Sequence, residues 1–210
     1  MNKINYQLML DKTIEKILRE GERKSLLLHA CCAPCSSYVL EYLSQYFDIT
    51  LYFYNPNIAP EKEYFFRADE LERLVEEMGL GENVKIVNEE YNSDEFYNYI
   101  KGLEGEAEGG SRCKLCYELR LGRAAVYAKE HEFDYFTTTL SISPYKNASW
   151  LNEIGSKLGE RYGVEYLFSD FKKKNGYKRS CELSEKYSLY RQDYCGCEFS
   201  KREREEKDDL

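Results

Sequence analysis

The sequence predicts an α/β protein with a doubly wound parallel sheet, folded as a single domain. Three observations predict it. Short apolar runs alternate along the chain with longer segments whose apolar residues recur at helical spacing, and strands separated by helices need crossover connections that leave neighbouring strands parallel and both sheet faces covered. The chain has 210 residues, 42% of them hydrophobic, enough to bury one core without staples. A cysteine-rich turn follows the first strand, where open parallel sheets hold their ligands.

The elements follow in order. Leu26 to Ala30 reads as a short buried strand. Ser36 to Phe47 reads as a helix, with Val39, Leu40, Leu43, Tyr46 and Phe47 on its apolar face and Pro34 suited to its start. A strand at Ile49 to Tyr54 precedes a long helix at Glu61 to Met78, faced by Phe65, Ala68, Leu71, Val75 and Met78. Val84 to Val87 is a strand, Lys114 to Glu130 a helix, Tyr135 to Thr138 a strand, Trp150 to Tyr162 a helix, and Glu165 to Phe168 a last short strand. Gly102 to Gly110, with four glycines and three glutamates, reads as a mobile loop or a lid ahead of Cys113. The domain is expected to span 1–200, with 201–210 a charged, fraying tail.

Charged residues make up 32% of the chain, which fits a folded soluble protein and excludes a disordered one. No apolar run reaches the length of a membrane span, and Met1 to Tyr6 lacks the apolar core of a secretory signal. A cytoplasmic protein with no membrane partner is therefore expected. In that compartment thiols stay reduced, so clustered cysteines read as metal or redox groups rather than structural disulfides. The net charge of −8 argues against a general nucleic-acid-binding surface but leaves room for a local one. Lys172, Lys173, Lys174, Lys178 and Arg179 form such a run, read either as a solvated loop or as a phosphate contact.

Seven of the eight cysteines fall into three groups: Cys31-Cys32-x-x-Cys35, Cys113-x-x-Cys116 and Cys195-Gly196-Cys197. Four thiolates are the usual complement of a four-iron four-sulfur cluster, and Cys31, Cys32, Cys113 and Cys116 would supply them. One structural zinc would also take four, yet leaves the other three clustered cysteines unexplained. The glycine between Cys195 and Cys197 lets the backbone turn sharply, so that both sulfurs face one point. The pair reads as a working dithiol or as two further metal ligands. Cys35 is open between a helix-terminal ligand, a member of a second metal site and a buried filler. Cys181 stands alone and reads as structural.

His29 reads as a core histidine or as a group orienting a ligand, and His131 as a helix-end residue. Thr137, Thr138, Thr139, Ser141 and Ser143 crowd hydroxyls at the end of the fourth strand, either to bind a polar substrate or to cap the next helix. Asp11, Asp134 and Asp170 are unranked candidate acids or oxygen ligands.

Several blocks together resemble one family, the cobalamin-independent epoxyqueuosine reductases (QueH). They are His29-Ala30-Cys31-Cys32-Ala33-Pro34-Cys35-Ser36, Phe136 to Ser141, Arg112-Cys113-Lys114-Leu115-Cys116-Tyr117, Asp170 to Gly176 and Tyr194-Cys195-Gly196-Cys197. The resemblance runs from Asn5 to Cys197. It implies a sheet like that of the adenine-nucleotide α-hydrolases (HUP or PP-loop-like), although the turn after the first strand carries cysteines in place of a phosphate loop, which argues against ATP use. It implies reduction of epoxyqueuosine to queuosine at the wobble position of tRNA, the last step of queuosine synthesis, with two electrons and two protons. It assigns Cys31, Cys32, Cys113 and Cys116 to a 4Fe-4S cluster and Cys195 and Cys197 to a redox-active disulfide. A second, mononuclear iron at leftover thiolates such as Cys35 would bind the epoxide oxygen, an external donor would supply electrons, and Lys172, Lys173, Lys174 and Thr138 would contact the tRNA substrate. The competing readings are an ATP-dependent tRNA-thiolating enzyme with an iron–sulfur cluster and a non-catalytic, zinc-stabilised RNA-binding module.

Overall fold

In the computed structural model, which describes residues 4–208, the chain runs α1 (Tyr6–Glu20), β1 (Lys24–His29), α2 (Ala33–Leu43), β2 (Phe47–Phe53), α3 (Glu61–Glu77), β3 (Val84–Asn88), α4 (Ser93–Tyr99), α5 (Ser111–Glu130), β4 (Tyr135–Thr138), a 3-10 turn at Thr139–Ile142, α6 (Ala148–Tyr162), β5 (Glu165–Tyr166), α7 (Gly176–Lys186) and α8 (Glu198–Asp208). The five strands are all parallel, in the order β3-β2-β1-β4-β5. That order reverses between β1 and β4, as a doubly wound sheet requires. His29 pairs with Thr138 at the carboxyl end of this junction, so the crevice opens above those two residues.

Alternation along β1 divides the core. Leu26, Leu28 and Ala30 join the apolar cluster built with Leu10, Ile14 and Ile17 of α1 and with α2 and α3. Leu27 points the other way, to Ala124, Ala125 and Ala128 of α5 and to Phe136. The small residues of α5 let that helix lie close to the sheet. On α6, Gly155 serves the same end, because a Cβ there would sit 2.3 Å from the Tyr166 ring. Gly155→Ala should therefore cost about 1–3 kcal/mol, read as a melting temperature lower by about 2–12 °C.

Several elements differ from the sequence reading. The second helix begins earlier and ends at Leu43, because Phe47 opens β2, pairs with Lys24 of β1 and meets the Tyr135 ring edge-on at 5.9 Å. The buried face of α3 is turned toward Tyr64, Arg67 and Leu74, leaving Phe65 half exposed. Residues 6–20, 93–99 and 139–142, read as no element, are helical. The expected fraying tail from residue 201 forms most of α8, anchored by Phe199 against Phe96 and Ile100 of the α4 region. The last two residues of that expectation, and the first three of the expected leaderless amino terminus, lie outside the described residues. No helix among the described residues is long and apolar enough to cross a membrane.

Candidate metal and redox site

Cys31 and Cys32 lie in the turn that leads from β1 into α2, and Cys32 is the N-cap of that helix, with Pro34 in its first turn. The Sγ atoms of Cys31, Cys32 and Cys35 all lie within 4.8 Å of one another. Cys31 Sγ is 3.7 Å from Cys32 Sγ and 3.8 Å from Thr139 Oγ1, across the β1–β4 junction. Hydrogen bonds from Cys32 and Cys35 hold the Cys31 thiol well below its ordinary range, against burial, with Arg120 helping. Cys32 is pushed up to about 12, chiefly by Cys31, and Cys35 is raised chiefly by Cys31 and then by Cys32. Of the three adjacent sulfurs Cys31 is the one whose thiolate is favoured, and ligation of a metal would ionise the others.

Cys113 and Cys116 lie on the first turns of α5. The Gly109 amide donates to Cys113 Sγ at 3.2 Å. Burial raises both thiols, Cys116 to about 11. One turn further on, Arg120 is 4% exposed. It donates to Asn55 Oδ1 at 2.5 Å and approaches Cys116 Sγ at 4.0 Å, and among the described residues it has no carboxylate in salt-bridge range. Its Nε has no hydrogen-bond partner, nor has Nη2 of Arg67. A buried guanidinium without an acid needs compensating negative charge nearby, and cysteines ionised by metal ligation would supply it. The donor set is soft sulfur surrounded by buried cations, which fits an anionic thiolate-bound metal centre.

The third group closes the site. Gly196 has φ +113, and a Cβ on it would meet Ile58 Cγ1 at 2.9 Å and Arg67 Nη1 at 3.0 Å. Glycine is what lets this turn sit under the Arg67 guanidinium, where Ala59 N donates to Gly196 O at 2.9 Å. The Cys195 and Cys197 sulfurs stand 3.6 Å apart. Ser200, in the first turn of α8, has its Oγ 3.0 Å from Cys195 Sγ and donates its amide to Cys197 Sγ at 3.4 Å. Cys195 is held well below the ordinary thiol range, first by its hydrogen bond with Cys197 and, against burial, by Lys146. Cys197 is raised for the reciprocal reason. All eight cysteines are free thiols, so the expected disulfide is not formed in this state.

All seven clustered cysteines line one cavity of about 470 Å³. Seven basic side chains line it against three acidic ones, in a chain of net charge −8. The other expected residues lie elsewhere. Thr138 accepts from Leu140 N and bonds His29 Nδ1 at 2.8 Å, and His29 Nε2 donates to Tyr54 O at 3.1 Å. Burial and then Arg120 lower the His29 pKa to about 3, so it is a neutral core histidine. Lys172, Lys173 and Lys174 are not among the cavity-lining residues. Lys172 is paired with Asp170 at 2.6 Å and Lys174 with Asp11 at 2.8 Å, while Ser25 and its amide occupy Asp134.

Sequence reasoning did not single out Arg67, Arg120 and Lys146, all of which line the cavity. For Arg120 a signal existed, because positions 112, 113, 116 and 120 share one helical face. Arg112 is 2% exposed, reaching the Glu104 and Glu106 carbonyls and the Glu203 carboxylate.

A thiol pair and a trio of metal-competent cysteines lining one cavity, at the switch point of a parallel α/β sheet, mark a candidate metal-binding α/β protein. A family model described as epoxyqueuosine reductase QueH matches residues 26–203. A relative of that name in Staphylococcus epidermidis is 48% identical over 202 residues, covering 94% of this chain and 85% of the relative. Another in Streptococcus pyogenes serotype M1 is 45% identical, covering 94% of this chain and 78% of its own. A solved structure described as a predicted subunit of tRNA methyltransferase from Methanocaldococcus jannaschii aligns with TM-score 0.47 and 13% identity, covering 75% of this chain and 76% of that one. The chain belongs to the epoxyqueuosine reductase QueH family, and is by that membership an oxidoreductase.

Proposed function

We propose that this chain reduces epoxyqueuosine to queuosine in tRNA, at the cavity where its three cysteine groups meet. That convergence is the observation that carries the reading, together with the family membership. In this reading Cys31, Cys32, Cys113 and Cys116 hold a 4Fe-4S cluster, and Cys35 is available to a second, mononuclear iron. Bound there, iron would supply one-electron transfer and a Lewis acid for the epoxide oxygen. Cys195 and Cys197 are the local two-electron couple, dithiol when reduced and disulfide when oxidised, reset by an external donor. The third thiol pair is what the zinc-module and thiolation readings leave without a role. A cytoplasmic setting, where tRNA is found and thiols stay reduced, belongs to the same reading.

The basic excess of the cavity suits an anionic substrate. Arg191, Arg204 and Lys207 line it and are exposed, and Tyr145 beside them is 80% exposed. We assign the anticodon-loop contact to this rim, with Tyr145 offering a face to an unpaired base. The lysine loop becomes a secondary contact, because Lys172 and Lys174 are already paired. Replacing Arg191, Arg204 and Lys207 together by Gln should flatten the slope of log affinity against log salt by about 1 per charge removed. The same change at Lys172 and Lys174 should move it less.

The direct test is anaerobic purification followed by incubation with a chemical reductant and tRNA carrying epoxyqueuosine. Iron in the protein and queuosine in the tRNA are the expected results. An iron-loaded, reduced protein that leaves the epoxide intact would end the proposal.

A further inference from the structure

Three of the inner bases that line the cavity have an acid at hand. Arg67 pairs with Glu63 at 2.8 Å, Arg112 with Glu203 at 3.1 Å and Lys146 with Glu108 at 3.0 Å. Arg191, Arg204 and Lys207 stand at the exposed rim. Arg120, 4% exposed, is the one inner base with no carboxylate in salt-bridge range among the described residues. Burying a charge in that way is costly, and a guanidinium cannot escape the cost by giving up its proton.

What holds Arg120 in place is an amide. Its Nη2 donates to Asn55 Oδ1 at 2.5 Å, and Asn55 Nδ2 donates to the Ala30 carbonyl at 2.9 Å. Asn55 is buried just beyond β2, and Ala30 immediately precedes Cys31. Both ends of that amide are thereby fixed, since a guanidinium only donates and a carbonyl only accepts. An aspartate there would neutralise the guanidinium and set an oxygen against the Ala30 carbonyl. Asparagine keeps the geometry and leaves the positive charge over. Arg120 lies one turn beyond Cys116 on the same face of α5, with its Nη1 4.0 Å from Cys116 Sγ and its Nε without a partner. The uncompensated charge therefore lies against sulfur, and Asn55 ties it to the turn that carries Cys31 and Cys32.

We propose that Arg120 is a positioning residue that acts through Cys116 to set the reduction potential of the metal centre held there, raising it by favouring the electron-rich state. The proposal rests on the reductase reading above. Each electron that the external donor delivers to that centre leaves the donor oxidised by one electron and adds one negative charge beside the guanidinium. Arg120 forms and breaks no bond in this step and moves no proton. Charge near the sulfurs and hydrogen bonds to them are the protein's levers on such a potential. At 4.0 Å in a buried site the charge is little screened by water or salt. The other inner bases exert less of this pull, because each brings its own carboxylate.

The test is an anaerobic redox titration of iron-loaded protein, followed by visible absorption and electron paramagnetic resonance, with iron content measured alongside. Arg120→Gln removes the charge and keeps an N–H donor. It should lower the reduced-to-oxidised ratio at a fixed potential about 10- to 100-fold at wild-type iron content, with about 59 mV for each tenfold. Arg120→Lys keeps a positive charge and should recover most of that loss. Asn55→Asp leaves the guanidinium in place but supplies its missing acid, and should shift the ratio in the same direction as Arg120→Gln. A purely structural role would leave the ratio unmoved there, because an ion pair anchors Arg120 at least as firmly as the amide does. Should Asn55→Asp fail to fold, the two Arg120 variants decide. Iron-loaded Arg120→Gln protein with the wild-type ratio would overturn the proposal, and so would iron loss from both Arg120 variants. Wild-type protein that takes up no iron would instead defeat the reading on which the proposal rests.

Discussion

Chains carrying Cys195→Ser or Cys197→Ser should bind tRNA and iron as the wild type does and produce no queuosine. The substitution is nearly isosteric and keeps a hydroxyl where Ser200 Oγ now lies 3.0 Å from Cys195 Sγ, so folding should change by only about 1 kcal/mol. What is lost is the ability to give up electrons, because an alcohol cannot form the bridge that two sulfurs 3.6 Å apart can close after a small movement. The measurement is queuosine formed under excess reductant, with iron content and visible absorption alongside. Wild-type turnover in both variants would remove the couple. Iron loss in both would instead make the two sulfurs metal ligands.

The second large effect is on stability. Stripping iron anaerobically should lower the melting temperature by about 8–16 °C, since a ligand present at about 1,000 times its dissociation constant contributes about 4 kcal/mol and each kcal/mol is worth about 2–4 °C in a chain of this size. The reason lies in the charges around the sulfurs. Among the described residues Arg120 is buried with no acid beside it, and burial raises the Cys116 thiol when no ion is bound. Without ligated thiolates the guanidinium keeps its desolvation cost and loses its compensation. Arg120→Met should accordingly narrow the gap between iron-loaded and iron-free protein. Differential scanning of both forms checks it, and equal melting temperatures with and without iron would refute the account.

Much of the fold was legible because apolar patterning is local. β4 matches its expected range, and α3 and α6 start or end within two residues of theirs. The misses have specific causes. Phe47 fits the apolar spacing of a helix and of a strand alike, and only its pairing with Lys24 makes it strand. Helix α1 carries Leu10, Ile14 and Ile17 on one face, with Asn5 capping Leu8 N and Gly21 in the left-handed conformation, so its signal was present and went unread. Helix α8 is so polar that its sequence reads as tail. Phe199 in the α4 cluster and the Arg112–Glu203 ion pair hold it in place.

The cysteine groups were legible for a different reason, because adjacent cysteines, C-x-x-C and C-G-C have no ordinary use in a core. The lysine run was legible only as charge, and its pairing was set by Asp11 and Asp170, far from or just ahead of it in the chain.

By itself, then, the sequence determined the strand–helix alternation, the sulfur chemistry available and the turn after β1 in which part of it sits. Those are properties of residue type and of spacing within a few turns. Tertiary structure alone decided that the three cysteine groups share one cavity, that Arg120 faces sulfur rather than carboxylate and that Lys146 lines the same cavity while mostly buried. Each of those depends on segments tens of residues apart being brought together by the crossovers of the sheet, and no local pattern encodes which side chains then meet.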